Sequence, residues 1–170
     1  MRDADLLQAV RGAMAHEIRM AGLLAGGDSV HLPPVDGDAE QTVVGALLET
    51  HARPSDLAPL TAEHFYGLFA REVFAAATEL ERRGSVIDVE TVATELHARG
   101  VRGPLSEELI HLRDWQPFCL LEHVRQSAAR IIELHRQRQL IAQMQRVDAD
   151  LRLGAIDTDQ ARARLREVIG

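Results

Sequence analysis

The sequence contains no lysine, and arginine supplies all 19 of its cationic side chains. A phosphate-binding loop of the form GxxxxGK(S/T) needs its lysine to reach the terminal phosphates of a nucleotide. Schiff-base catalysis needs a lysine amine as its nucleophile. The composition therefore excludes both kinds of catalysis from this chain, and we expect it to be neither an autonomous ATPase nor any other enzyme.

Cysteine and aromatic residues are also scarce. Cys119 is the single cysteine, so no intrachain disulfide can form, as is usual in a reducing compartment. Aromatic residues make up 4% of the chain, which leaves few side chains on which nucleobases could stack. The core must therefore be built from aliphatic side chains.

Long apolar runs and targeting signals are missing as well. No stretch approaches the ~20 apolar residues of a membrane span. The opening residues, with acidic Asp3 and Asp5, do not resemble a secretory signal. We therefore expect a cytoplasmic protein with no membrane association.

Acidic residues outnumber basic ones, and the net charge is −7. The excess is confined to residues 1–117, which hold 19 acids against 10 arginines, whereas residues 118–170 hold 7 acids against 9 arginines. An acidic surface repels phosphate backbones, so the charge disfavours DNA binding by this chain alone.

Apolar residues recur at helical spacing along the chain, which predicts an all-α fold. The pattern indicates an extension helix and linker over 1–31, a globular helical domain over 32–117 and a helical hairpin over 118–170. The extension helix is expected at 3–25. Four globular helices are expected: one at 37–50, one that ends near 83, one at 89–99 and a short one that ends near 113. Asp36, Asp88 and Ser106 are the predicted N-caps.

The hairpin is predicted from an uninterrupted helical segment and a short return helix. No glycine or proline lies between Phe118 and Leu153, and Asp157 with Gln160 forms a capping-box pattern for the return helix. A helix of that length reaches ~50 Å, whereas the return helix reaches only ~18 Å. The apolar stripe must therefore pack on the globular domain or on another chain. We assign self-association or partner binding to Leu121, Val124, Ala128, Ile131, Ile141, Met144, Val147, Leu151 and Leu165.

Metal-binding patterns are weak despite the eight histidines. Glu108 and His111 have the spacing used by di-iron bundles, but that chemistry needs a second such pair, which is absent. His111, His123 and His135 recur every 12 residues, a spacing that turns about 120° per step on a helix, so the three rings face different directions. We expect no metal and no cofactor, and we interpret Cys119 as an inert buried thiol.

Four motifs in order resemble the N-terminal domain of the bacterial replicative helicase of the DnaB type. Two prolines at 33 and 34 precede the first block, and an Arg-x-Leu-Ile motif at 138–141 is the last. The residues that carry the resemblance most clearly are Glu40, Gln41, Gly45, Phe65, Tyr66, Phe74, Ile87 and Asp88. Ala70 and Val86 depart from the pattern, because the family usually has His and Pro there.

The resemblance implies a small helical domain followed by a hairpin that pairs with other copies to form a collar above an ATPase ring. In that family the collar also receives primase and loading factors. The first hypothesis is therefore a non-catalytic oligomerisation and docking module of DNA replication, with itself and a replicative helicase or primase as partners. The alternatives are a freestanding regulator or loader-like protein that binds a helicase or primase, and a DNA-binding helical regulator.

Overall fold

Six helices follow one another in the computed structural model, which describes residues 33–114 and 120–169 of the chain and the side chains up to residue 167. No strand occurs in these two ranges, so the predicted all-α class is confirmed. The predicted extension helix lies outside the described residues. The helices are α1 (Gly37–Leu48), α2 (Leu68–Arg82), α3 (Val89–Ala98), α4 (Leu105–Asp114), α5 (Leu121–Arg152) and α6 (Thr158–Ile169), with short 3-10 turns at Pro54–Leu57 and Ala62–His64 between α1 and α2.

Side-chain caps fix the start of three helices where the sequence predicted them. Asp36 Oδ1 accepts the N–H of Ala39 at 3.1 Å at the start of α1. Asp88 Oδ1 accepts the N–H of Thr91 at 2.8 Å, and Thr91 Oγ1 accepts the N–H of Asp88 in return. The predicted capping box of α6 is likewise confirmed by reciprocal bonds between residues 157 and 160. Each cap satisfies backbone donors that the first turn of a helix leaves free.

The predicted cap of α4 was wrong. The helix begins at Leu105, one residue before Ser106, so this serine lies inside the first turn. The carbonyl of Pro104 accepts the N–H groups of Glu107 and Glu108, at 3.1 and 3.2 Å. Pro104 therefore occupies the position just before the first turn, where Ser106 was expected.

One apolar core joins α1 to α4 with the first third of α5. The largest side chains that are less than 2% exposed come from every one of these helices, namely Val43, Val44, Leu47, Val73, Val92, Leu96, Leu105, Leu109, Val124 and Ile131, together with Phe65 from the connection before α2. Helix α1 packs most extensively on α5 and α4. The long helix is therefore part of the globular core as well as part of the hairpin.

This packing corrects one part of the predicted interface. Val124, Ala128 and Ile131 are buried against helices of the same chain, with 0%, 3% and 1% exposure. Leu121 is partly buried against the same core. The sequence could not choose between the globular domain and another chain as their partner, because periodicity defines an apolar face and not what covers it.

The second half of α5 forms the predicted hairpin with α6. Residue Gly154, at a φ of 67°, follows the C-terminus of α5, and the N–H of Ala155 bonds to the carbonyl of Asp150 as in a Schellman motif. Val147, Ile156 and Ala161 make a second small core, against which Leu165 packs. The hairpin core is therefore separate from the main core.

Gly45 allows α1 and α4 to approach closely. A Cβ atom at this position would lie 2.7 Å from the carbonyl oxygen of Leu112, a backbone atom that cannot move without its helix. The close packing of the two helices therefore requires glycine here, although glycine is a poor helix former.

We expect Gly45→Ala to destabilise the domain by about 1–3 kcal/mol, because the clash with α4 outweighs the gain of about 1 kcal/mol in helix propensity. Urea unfolding followed by circular dichroism measures the change. Gly37→Ala is the matched control, since it lies in the same helix and its Cβ would meet nothing within 4 Å. Equal stabilisation by both substitutions would show that the two helices can separate without cost.

Candidate partner-binding surface and the joint that positions it

A buried carboxylate ties α1 to the start of α2. Glu40 is 8% exposed, and its two oxygens accept the backbone N–H groups of Tyr66 at 2.6 Å and of Gly67 at 3.0 Å. Gly67 is the N-cap of α2, so the negative charge of Glu40 sits at the positive end of that helix. Hydrogen bonds to a charged acceptor are stronger than those between neutral groups.

Arginine side chains from two helices complete the same region. Arg138 of α5 donates to the carbonyl of Pro34 at 2.9 Å and to that of His64 at 2.6 Å, and its guanidinium lies 5.6 Å from the centre of the Tyr66 ring. Arg71 of α2 donates to the carbonyl of Phe65 at 2.8 Å. We call the contacts made by Glu40, Tyr66, Arg71 and Arg138 the joint, because they connect α5 to α1 and α2.

The joint borders an open depression of about 240 Å³. Burial lowers the pKa of Arg138 from its ordinary value, and Glu40 and Tyr66 oppose that shift. The guanidinium nevertheless stays charged at neutral pH, since arginine is protonated under all ordinary conditions. The residues that line the depression are Glu63, Phe65, Tyr66, Arg71, His135, Arg138, Gln139 and Ala142.

Beyond the joint, α5 carries large apolar side chains that the other described residues leave partly exposed. Leu140, Ile141, Met144 and Leu151 are between 38% and 47% exposed. At 100° per residue, Leu140, Met144 and Leu151 point within about 40° of one another, and Ile141 lies at the edge of the same side. We call these four residues the hairpin face. Val147 belongs to the same side of α5, but the hairpin core buries it to 7% exposure.

A family of known proteins accounts for this arrangement. The sequence model of one protein family, the DnaB-like helicase N terminal domain, matches residues 32–117, just over half of the chain. The chain belongs to this family. The resemblance seen in the sequence is thereby confirmed.

A solved structure extends the DnaB-like similarity beyond the matched residues. The N-terminal domain of DnaB helicase from Mycobacterium tuberculosis is 28% identical, superposes with a TM-score of 0.69, and is covered over 99% of its own length by 79% of this chain. The likeness includes the all-helical fold.

The family-motif residues occupy structural positions in this DnaB-like fold. Phe65 and Phe74 pack together with ring centroids 5.1 Å apart, and Ile87 is buried in the same core. Gln41 is half-buried, and its Oε1 atom has no hydrogen-bond partner among the residues described. The remaining motif residues form the cap of α3 (Asp88), the close approach of α1 to α4 (Gly45) and the joint (Glu40 and Tyr66).

Sequence reasoning missed the contact between His64 and His135. The two rings meet edge to face with centroids 4.9 Å apart. They are 71 positions apart in the chain, and neither lies in a recognisable ligand spacing. The family motif at 138–141 pointed to this part of α5, and the sequence singled out His135 only for its 12-residue spacing from His123.

In the ranges 33–114 and 120–169, no group of three or more His, Cys, Asp or Glu side chains is placed to hold a metal ion. None of the helices over those residues is both long enough and apolar enough to cross a membrane.

Proposed function

We propose that this chain is a non-catalytic oligomerisation and partner-docking module of DNA replication. It assembles with copies of itself through the hairpin, and the assembly receives a replicative helicase or a primase. Family membership supplies the context, and the hairpin face supplies the surface. The observation that carries the proposal is the row of half-exposed apolar side chains on α5, of which the described part of the hairpin core buries Val147 alone.

The length of the hairpin face suits a helical partner. From Leu140 to Leu151 it extends for about 16 Å along α5. Contiguous apolar surface of this kind on a soluble protein marks an interaction site more often than it marks chance exposure. Helix pairs bury such a stripe by inserting side chains of one helix between those of the other. The uncovered side of α5 therefore favours a contact with a second helix.

Charge favours a protein partner over DNA. Acidic residues exceed arginines in the part of the chain before α5, so the mean field of the globular domain repels phosphate. Several arginines of the hairpin are already paired with acids, for example Arg152 with Asp148 at 2.9 Å and Arg164 with Asp150 at 2.7 Å. These pairings lower the positive charge that this part of the hairpin presents to a phosphate.

We expect the parent chain to sediment above monomer mass and the double variant Ile141→Asp/Met144→Asp to sediment as a monomer. Two carboxylates in an apolar contact lose hydration without gaining a partner, which weakens assembly by orders of magnitude. Analytical ultracentrifugation over a concentration series measures the effect. The variant should remain folded, because both positions are more than a third exposed in the single chain.

Gln143→Asp/Gln145→Asp is the matched control, since it adds two charges to exposed positions of the same helix. Both variants are then titrated against a replicative helicase, a primase and single-stranded DNA at low and high salt. A monomeric parent, or tight binding to DNA alone that weakens steeply with salt, would contradict the proposal.

A further inference from the structure

His64 and His135 form a contact between the globular part and the middle of α5. His64 ends the turn Ala62–His64, and its Nδ1 atom lies 2.9 Å from the backbone nitrogen of Thr61. A backbone N–H can only donate, so Nδ1 must carry a lone pair and His64 must be neutral in this geometry. Its ring meets the ring of His135 at an interplanar angle of 87°.

The surroundings of this pair are mainly positive. Helix α5 contributes two arginines, α2 contributes one, and the turn contributes a single carboxylate; these groups are Arg136, Arg138, Arg71 and Glu63. Glu40 of α1 faces Arg138, but both of its oxygens accept backbone N–H groups of the joint. A proton added to either ring would therefore meet more positive than negative charge.

The pKa values of the two rings agree with this geometry. Burial lowers the pKa of His64 below its ordinary 6.5, and Glu63 opposes the shift whereas Arg136 and Arg138 add to it. Burial lowers the pKa of His135 as well, and His64 and Arg138 add to that shift. The separated rings bind protons at a higher pH than the packed rings do. The contact is therefore fully stable above pH 6.5 and loses stability as the pH falls towards the lowered values.

We propose that the His64–His135 contact is an acid-sensitive connection that sets the position of the distal hairpin. Protonation of the rings separates α5 from the turn Ala62–His64 and weakens the neighbouring bond from Arg138 to the His64 carbonyl, which is 2.6 Å long. Upstream, Val124, Ala128 and Ile131 keep α5 in the core. Only the part of α5 beyond His135, which carries the hairpin face, is released.

Amide hydrogen exchange of the full chain tests this proposal. Residues 62–67 and 135–142 should exchange faster at about pH 5.5 than at about pH 7.5, after correction for the intrinsic pH dependence, because the separated rings bind protons more tightly than the packed rings do. Core amides such as those of Val43 and Leu96 should keep their corrected rates. NMR titration of the two rings should give pKa values below 6.5.

Two variants identify the groups responsible. His64→Asn keeps an acceptor for the N–H of Thr61, and His135→Gln keeps a polar side chain on α5; neither new side chain titrates. Each should reduce the acid-induced exchange, since the remaining ring still titrates, whereas His123→Gln, at an exposed position of the same helix, should leave it unchanged. The proposal is overturned if the parent shows no selective acceleration, if the rings titrate at or above 6.5, or if a histidine variant keeps the parent response. The parent measurements decide the question even if a variant does not fold.

Discussion

Ile131→Asp is expected to unfold the domain and not merely to separate chains from one another. Ile131 is 1% exposed and lies in the core that α5 shares with α1 to α4. Burying an unpaired carboxylate there costs several kcal/mol, and the loss of the isoleucine side chain adds the cost of a cavity. Because domains of this size are stable by only about 5–15 kcal/mol, one such change can exhaust that stability.

Thermal unfolding followed by circular dichroism, with sedimentation on the same samples, measures this effect. Ile131→Val should cost only about 0.5–1.5 kcal/mol, because it removes one methyl group. Gln126→Asp is the matched control, since it adds the same charge at an exposed position of the same helix. If Ile131→Asp stayed folded with an unchanged unfolding midpoint but sedimented at a lower mass than the parent, Ile131 would lie in an interface between chains.

Glu40→Ala should be the second most damaging substitution, with a loss of about 3 kcal/mol. It removes the acceptor of two backbone N–H groups, those of Tyr66 and Gly67, and it removes the acid that faces Arg138. Glu40→Gln should cost roughly half as much. It keeps one oxygen that accepts a backbone N–H, but its NH2 group is a donor and would face the other backbone N–H without forming a hydrogen bond.

Urea unfolding gives the free energies of these variants, and amide exchange at Tyr66 and Gly67 locates the damage. Asp38→Ala is the control, because it removes an exposed acid from the first turn of the same helix and should cost only a few tenths of a kcal/mol. Equal losses at positions 38 and 40 would show that Glu40 acts through its charge near a helix terminus and not through its two hydrogen bonds.

Local signals in the sequence predicted the helices well. The caps at Asp36, Asp88 and Asp157 depend on hydrogen bonds to residues three positions away, so the sequence alone is enough to recognise them. The same holds for the turn at Gly154, whose motif occupies only a few residues. The predicted start of α4 was wrong because the helix begins at Leu105, directly after Pro104, so Ser106 lies inside its first turn.

Long-range contacts were not predictable by such means. Val124 and Met144 lie on one apolar pattern in the sequence, yet the first is fully buried and the second is 47% exposed. Arg138 bonds to main-chain oxygens 74 and 104 positions away, and any residue type could have supplied those oxygens. Helical periodicity shows that a face needs a partner, whereas the identity of the partner depends on the tertiary fold.

The packing of α1 on α5 also bears on the order in which the chain can fold during its synthesis. The inner side of α1, with Val43 and Leu47, packs mainly on α4 and α5, which begin only at Leu105 and Leu121. A nascent chain that ends before Leu121 lacks the helix on which α1 packs most extensively. The core can therefore be completed only after α5 has left the ribosome. Until then the apolar side of α1 that packs on α5 stays exposed, which favours chaperone binding and aggregation.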